Sequence, residues 1–585
     1  MMSSSLKSSG LVSPPVILTG IFSLSGLLKD SYWFRELPPF IFCSLAAVLM
    51  LVALWGSKAI VFTGIDAVVF LFFFYTILSS VVKAYPYPVT DRVYFIIGGL
   101  FLFTAFRLSM AKPLVVQALY GFLIIMAVQA TWGILQFFTG YKVTGGFGNG
   151  AVFGCFMAMG FVLIVCDILY RKHPTGRTVI MCFAGVVVAA ALFLSLSRAA
   201  CITSIAGIGF AALCKRYVWT FLKRRAVTIV GVLIVCTGIL YYLWQLNTTS
   251  VSGRFLIWKI GVKMFADKPV LGIGYGNFFT EYGNYQARYF LSGAATEQEA
   301  LTAGMNYHAF NEFLKVAIEG GLLGLLLFVL MLLLIFRKGL LLIKAGNSKA
   351  VIPLTLLITI IVFGMASYPL QDISVSVIFF FCIAYVAALP ATEGKKRELK
   401  LYPGIKVALL LFAGFGALRC TQKVYALCTW HTAKEFLLSR EGEALEQYLR
   451  IYPLLSNNGA FLFNYGAELA ELKEHAQSNK ILKRAAMYGN SIELYTALAD
   501  NYAALGGTKQ AEECYIHVAY MVPKKFIPFN NLFNFYKAAG QTGKAIELSG
   551  LLCNKPVKVP AVVIDRIKAN ACTYYQKYKT GAHAL

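Results

Sequence analysis

Two arginines and one histidine, each beside an apolar run long enough to enter a bilayer, carry most of the chemical information in this sequence. Arg254 opens the pattern Arg254-Phe-Leu-Ile-Trp258, inside a polar segment at 246–307. That segment continues through Asp267-Lys-Pro269 and Gly272-Ile-Gly274-Tyr-Gly276-Asn-Phe278. It meets the next apolar run at His308-Ala-Phe-Asn311-Glu312-Phe-Leu314. Guanidinium forks bind phosphate oxygens in pairs, and an imidazole titrates near neutrality and can take a proton from a hydroxyl. Such a set at a membrane surface suits a lipid-linked anionic substrate.

Arg198 lies in Ser195-Leu-Ser-Arg-Ala-Ala200, between two apolar runs with almost no loop. A cation there requires an anion or a route to lipid headgroups. The stretch 254–265 places Phe255, Trp258, Val262 and Phe265 roughly on one helical face, so it reads as an amphipathic helix lying in the interface and aiming Arg254 at a bound pyrophosphate. Glu312 falls in the first turn of the following helix, where a carboxylate suits the dipole. Glu319 lies seven residues on and reads either as a glycan contact or as half of a buried ion pair. The glycine run at 272–276 follows no strand and is not a dinucleotide turn. No phosphate-binding loop and no Asp-x-Asp pair occurs, so neither nucleotide-driven nor metal-dependent chemistry has support, and no cofactor is expected.

The elements that position these residues are membrane helices. Of 585 residues, 58% are hydrophobic and only 14% charged, where a soluble chain would carry roughly a quarter. About 12–13 apolar runs, from 11–28 through 226–245 to 404–426, approach the roughly 20 residues that cross a bilayer. The net charge of +26 does not mean nucleic acid, because the basic residues cluster in short loops: Arg171-Lys172 with Arg177, Lys215-Arg216 with Lys223-Arg224-Arg225, Arg337-Lys338 with Lys344, and Lys395-Lys396-Arg397. Two spans separate each loop from the next, so all four share the cytoplasmic face. Asn149, Arg198, the 246–307 segment and Tyr368-Pro-Leu-Gln-Asp372 then face outward. Of six histidines, His308 alone lies on the outer face of the membrane part. The thirteen cysteines are scattered without metal-ligand spacing and read as packing residues.

The chain divides into a membrane domain at 1–428 and a soluble helical tail at 429–585. Tyr495, Leu498, Tyr502, Ala511, Tyr515, Ala519 and Pro523 resemble the tetratricopeptide pattern of paired helices. Phe529, Leu532, Tyr536 and Ala545 repeat it 34 residues on, and Phe461, Ile481 and Ala485 more loosely 34 residues back. A concave surface of this kind suits a protein partner. The topology puts it outside the cytoplasm.

Taken in order, Ser197-Arg198, Arg254-x-x-x-Trp258, Pro269-x-x-Gly272-x-Gly274-x-x-x-Phe278, and His308-Ala-Phe-Asn311 with Glu319-Gly-Gly321 resemble the O-antigen ligase and polymerase superfamily. The likeness covers roughly 145–370, and Gly146-Phe-Gly-Asn149 is similar to an upstream turn of that family. The resemblance implies an all-α inner-membrane glycosyltransferase that moves a glycan from undecaprenyl-diphosphate to an acceptor hydroxyl on a glycolipid or protein. Arg198 and Arg254 would hold the diphosphate and His308 would activate the acceptor. Asn149, Trp258, Asn311, Glu312 and Glu319 would support them. A polysaccharide polymerase is the alternative. A transporter would need charges in mid-membrane, whereas here they sit at span ends. In the family the histidine often directly precedes the asparagine. Here Phe310 fills that place, so His308 is equivalent only if the helix begins after it.

Overall fold

In a computed structural model, the residues described are 17, 19–21, 36–57, 59–82, 88–110, 112–215, 249–390, 398–400, 402–436 and 441–581. The chain is a helical bundle, as its composition requires. Seven membrane helices are long and apolar enough to span: α1 (Pro38–Gly56), α2 (Gly64–Val82), α4 (Lys112–Phe138), α5 (Gly150–Tyr170), α6 (Thr175–Leu194), α11 (Glu312–Lys344) and α14 (Pro403–Phe436). Four are apolar but shorter: α3 (Val93–Ser109), α7 (Arg198–Leu213), α12 (Val351–Gly364) and α13 (Ile373–Ala388). These eleven answer eleven of the expected spans. The expected runs at 11–28 and 226–245 lie mostly or wholly outside the described residues.

The run expected as one span over 59–82 is split. Ala59–Val61 forms a strand, β1, pairing antiparallel with β2 (Glu398–Lys400), and the helix begins only at Gly64. The β-branched pair Ile60-Val61 favours the extended form. Beside it Arg107 holds Asp66 at 2.5 Å and the Val61 carbonyl at 2.6 Å, which fixes α2 to α3.

Between α7 and α11 lie three helices, α8 (Thr249–Asp267), α9 (Phe278–Leu291) and α10 (Glu297–Thr302). The tail continues in pairs: α16 (Gly459–Glu471) with α17 (His475–Tyr488), α18 (Ile492–Ala504) with α19 (Thr508–Met521), and α20 (Ile527–Ala538) with α21 (Thr542–Asn554). α15 (Glu441–Leu455) precedes them and α22 (Val562–Gly581) follows. No helix break marks residue 428, since α14 runs through it to Phe436. One hydrophobic core extends from Phe42 and Cys420 through Trp430 to Tyr448, Phe461 and Leu482.

The reading of every cysteine as packing is corrected at one place. Cys553 at the end of α21 and Cys572 on α22 form a disulfide. Nineteen residues separate them, with no motif to announce the pairing; only the return of α22 onto α21 brings them together. Of the other cysteines, Cys43, Cys155, Cys166, Cys201, Cys382 and Cys420 are free and buried.

Candidate functional site

The site is built around a break in α11. At Gly321 the backbone leaves the helix with φ 65° and ψ −169°. The break strands carbonyls and amides that must find partners, and the glycine run supplies them. Ile273 and Gly274 donate N–H to the carbonyls of Ile318 and Glu319 at 3.0 and 2.9 Å, while Leu322 N donates to the Pro269 carbonyl at 2.7 Å. The Tyr75 hydroxyl donates to the Gly320 carbonyl at 2.6 Å. Gly272 has φ 67°, and a Cβ there would lie 2.5 Å from the Glu319 carbonyl. Glycine is needed at both positions, for backbone conformation and for closeness. The pattern Pro269–Phe278 is therefore a strap locking the outer segment to a membrane helix.

Glu319 serves this strap. Its carboxylate accepts from Phe278 N at 3.3 Å, capping α9, and lies 3.5 Å from Lys315. Of the two readings open in the sequence, the geometry matches the buried ion pair. Glu312 accepts from the Leu370 amide at 2.9 Å and from Gln371 at 3.4 Å, and Lys315 donates to Gln371 at 2.7 Å. Both glutamates border a small cavity distinct from the one that His308 lines. Glu312 holds the turn at 365–372 and Glu319 the strap, and neither lines the cavity of the histidine.

The α11 helix starts at Glu312, with the Asn311 side chain accepting from Leu314 N at 3.0 Å as its N-cap. His308 thus precedes the helix, the condition on which its equivalence depended. Its ring stacks on Tyr368 with centroids 3.9 Å apart and planes 18° apart, and Phe310 meets the same tyrosine edge-on at 5.1 Å. Tyr368 also accepts a hydrogen bond from Asn149 Nδ2 at 2.6 Å. The Asn149 carbonyl-side oxygen caps α5, accepting from Ala151 N at 2.8 Å. Burial raises the pKa of Tyr368, helped by Asp372, so its hydroxyl stays protonated.

The Arg254 guanidinium lies over the Phe310 ring, 5.5 Å from its centroid. One turn along, Trp258 donates Nε1–H to the Ala309 carbonyl at 3.1 Å. Burial, and then the positive charge of Arg198, lower the pKa of Arg254. Arg254 Nε is buried and meets no hydrogen-bond acceptor among the described residues. Arg198 is the first residue of α7, and Ser197 caps that helix. Gly154 on α5 lets this turn approach, since a Cβ there would lie 2.7 Å from Ser195 Oγ and Ser197 Cβ. Among the described residues only Leu196, Phe310 and Lys473 are non-glycine residues with positive φ. The first two sit beside Arg198 and His308, as strained backbone does at functional sites.

On α8, Leu256, Ile257, Ile260 and Met264 are buried, with α8 packing against Leu314 and Ile318 of α11. Phe255 and Val262 of the expected amphipathic face are exposed, as a stripe turned to a membrane interface would be. Glu319 is not brought to the histidine. Sequence reasoning also missed Tyr368, Phe310 and Arg92. The polar turn around Tyr368 was visible between two apolar runs, but nothing in it announced a hub.

His308, Phe310 and Tyr368 line a cavity of about 520 Å³, with Glu36, Asp91 and Arg92 also on its wall. Neither Arg198 nor Arg254 lines it; Phe310 has Arg254 against its face and also borders the cavity. α7 and α12 rise about 24 and 21 Å, short of the roughly 30 Å hydrocarbon core.

The tail docks on α9. Asn490 donates to the Thr280 carbonyl and to Asn284 at 2.9 Å each, His517 contacts Asn284 at 3.1 Å, and Gln286 bonds the Met521 carbonyl. The tail and the outer segment therefore share one side of the molecule.

Residues 183–329 match the O-antigen ligase family. The matched quarter of the chain contains Arg198, Arg254, Trp258, His308, Asn311, Glu312 and Glu319 and leaves out Asn149 and Tyr368. No curated protein matches the chain. The likeness supports the O-antigen ligase and polymerase superfamily, and the chain is a multi-pass membrane protein.

Proposed function

We propose that this protein transfers a glycan from an undecaprenyl-diphosphate carrier to an acceptor hydroxyl on a glycolipid or a protein. The observation that carries the reading is the juxtaposition at Phe310: a half-buried arginine against its face, and a cavity holding His308 at its border. Arg198 and Arg254 bind the diphosphate in a recess at membrane depth. His308 takes the proton of the acceptor hydroxyl, and the resulting oxygen attacks the anomeric carbon. The bond from that carbon to the diphosphate breaks, and undecaprenyl-diphosphate leaves with the electron pair, its charge balanced by the two guanidiniums. Tyr368 and Asn149 hold the imidazole plane, while Trp258 and Asn311 fix the segment on which His308 sits. Glu312 and Glu319 brace the turn and the strap.

The disulfide in the tail supports an extracytoplasmic location for it, because such bonds persist in oxidising compartments, and the bacterial inner membrane supplies the donor on that side. We read the helix pairs of the tail as tetratricopeptide-like, suited to a protein that is or delivers the acceptor. Purified protein given lipid-diphosphate glycan with separate glycolipid and polypeptide acceptors tests this. Transfer to either is expected. Growth of the glycan on its own lipid carrier, with neither acceptor used, would assign a polymerase instead.

A further inference from the structure

A second large cavity, so far unassigned, lies among the basic loops. It measures about 920 Å³ and is enclosed by the α6 entry, the loop between α11 and α12, and the ends of α5 and α13. Among the described residues its wall carries Arg171, Lys172, Arg177 and Lys349 and no carboxylate. Asp167 close by is already committed, at 3.0 Å from Arg171 and 2.7 Å from His173.

The positive-inside bias accounts for basic residues on this face, but it requires neither a cavity nor an ordered cation pair, and both are present. The Tyr120 ring carries the Arg177 guanidinium at 4.3 Å and that of Arg171 at 5.9 Å, and Arg171 also donates to its hydroxyl at 3.4 Å. Asp167 balances Arg171, while Arg177 on the same ring has no carboxylate beside it among the described wall residues, so an entering anion is attracted there. Deeper in the cavity the wall becomes apolar, with Leu119, Ile352, Leu356 and Phe381 all buried.

We infer that this cavity binds a phosphate-bearing lipid of the cytoplasmic leaflet, its headgroup on Arg171, Arg177 and Lys349 and its hydrocarbon against Leu119 and Leu356. Cations at the rim and an apolar interior match the two ends of such a molecule, and basic pockets between membrane helices hold anionic headgroups for this reason. The site is independent of the transfer reaction, which lies on the opposite face.

Full-length protein in phosphatidylcholine nanodiscs, titrated with phosphatidylglycerol and read by native mass spectrometry, tests the inference. Wild type should retain phosphatidylglycerol, and Arg177→Gln/Lys349→Gln should bind it about 30-fold more weakly, the worth of two basic side chains at an anionic surface. Arg337→Gln/Lys344→Gln removes the same charge from that face outside the cavity and should change binding less than threefold, on the order of screened surface charge. Equal losses in the two double variants would overturn the inference, since the effect would then be general surface charge. Leu356→Phe fills the apolar end without altering charge and should weaken retention of the lipid; unchanged retention would remove the hydrocarbon half of the site. Inorganic phosphate should not displace the lipid. Displacement by phosphate alone would assign a free-anion site instead.

Discussion

Tyr368 offers the sharpest test of how the candidate site works, because two substitutions separate its hydroxyl from its ring. Tyr368→Phe deletes the group that accepts from Asn149 at 2.6 Å and leaves the ring under His308 at 3.9 Å. A neutral hydrogen bond contributes about 0.5–1.5 kcal/mol net. Expressed fully in the transition state, that lowers kcat/KM about 2- to 13-fold. Tyr368→Ala removes the stack with His308 and the edge contact with Phe310 as well. Two aromatic pairs at about 0.5–1.5 kcal/mol each, with the hydrogen bond, give a loss of about 1.5–4.5 kcal/mol, or roughly 10- to 2000-fold. His308→Ala should cost about 10² to 10⁴. If the tyrosine acts by holding the imidazole, the double variant Tyr368→Ala/His308→Ala should be no slower than His308→Ala alone, because the two residues act as one unit. The assay is transfer from a lipid-diphosphate glycan at equal protein concentration, with donor binding measured in parallel and expected to change little. Losses that multiply in the double variant, or near wild-type turnover in Tyr368→Ala, would refute the positioning role.

Arg254→Lys should lower turnover by about 10² or more, the order seen when one charge-stabilising donor is lost, since an ammonium cannot reproduce the planar fork; a radiolabelled transfer assay at matched protein levels checks it. Gly272→Ala should destabilise the protein by several kcal/mol, on the order of 1–2 for the left-handed backbone plus the clash with the Glu319 carbonyl. Its melting in detergent should fall well below that of Gly293→Ala, where φ is 71° but a Cβ would meet nothing within 4 Å; equal losses would mean that backbone conformation alone, and not the close approach of the strap, sets the cost. His517 is pushed down to about 4 by burial and then by Arg288, so it is neutral when docked against Asn284. The docked state then loses protons relative to the free tail, and its stability, complete above the ordinary histidine pKa of 6.5, should fall as pH drops toward 4. Hydrogen exchange in 278–291 should rise across that window and stay flat in His517→Gln. A reporter fused after Lys579 should be active only in its exported form; activity of a cytoplasm-dependent reporter there would invert the topology.

What the sequence made legible follows from which signals are local. Apolar length is local, so the eleven helices between α1 and α14 stood out. A cap is local too, and Asn149 and Asn311 lie where a side-chain oxygen can reach amides two or three residues on. Tyr368 was not legible because its importance is made of contacts 60 and 219 residues away in the chain, with His308 and Asn149. The face of α8 that packs on protein was not legible, because an amphipathic pattern with two adjacent stripes is resolved only by its neighbour, α11. Glu319 shows the opposite case. Its type and depth called for a partner, and Lys315 one turn earlier supplied it, but the cap on Phe278 N could not be seen without the break at Gly321.

That break also explains why one motif joins features that seem unrelated. The strap ties α8, which carries Arg254, and α9, on which the tail docks, to four residues of α11 around the break, Ile318, Glu319, Leu322 and Leu323. The helix on which the tail docks is thereby joined to α8 and α11 through backbone hydrogen bonds. On the other side, Asn457 and Asn490 of the tail border a smaller cavity of about 110 Å³ that shares Glu36, Asp91, Arg92 and Tyr307 with the one containing His308. Lys423 fixes this region from beneath through Asp91 at 2.9 Å. The tail thus borders the histidine side of the site, and it reaches the arginine side through the strap and through Tyr520, which packs against the cluster that includes Leu256 and Ile257 of α8. In a transferase of the kind proposed, that arrangement gives the tail influence over which acceptor enters, and leaves recognition of the lipid diphosphate to the membrane helices.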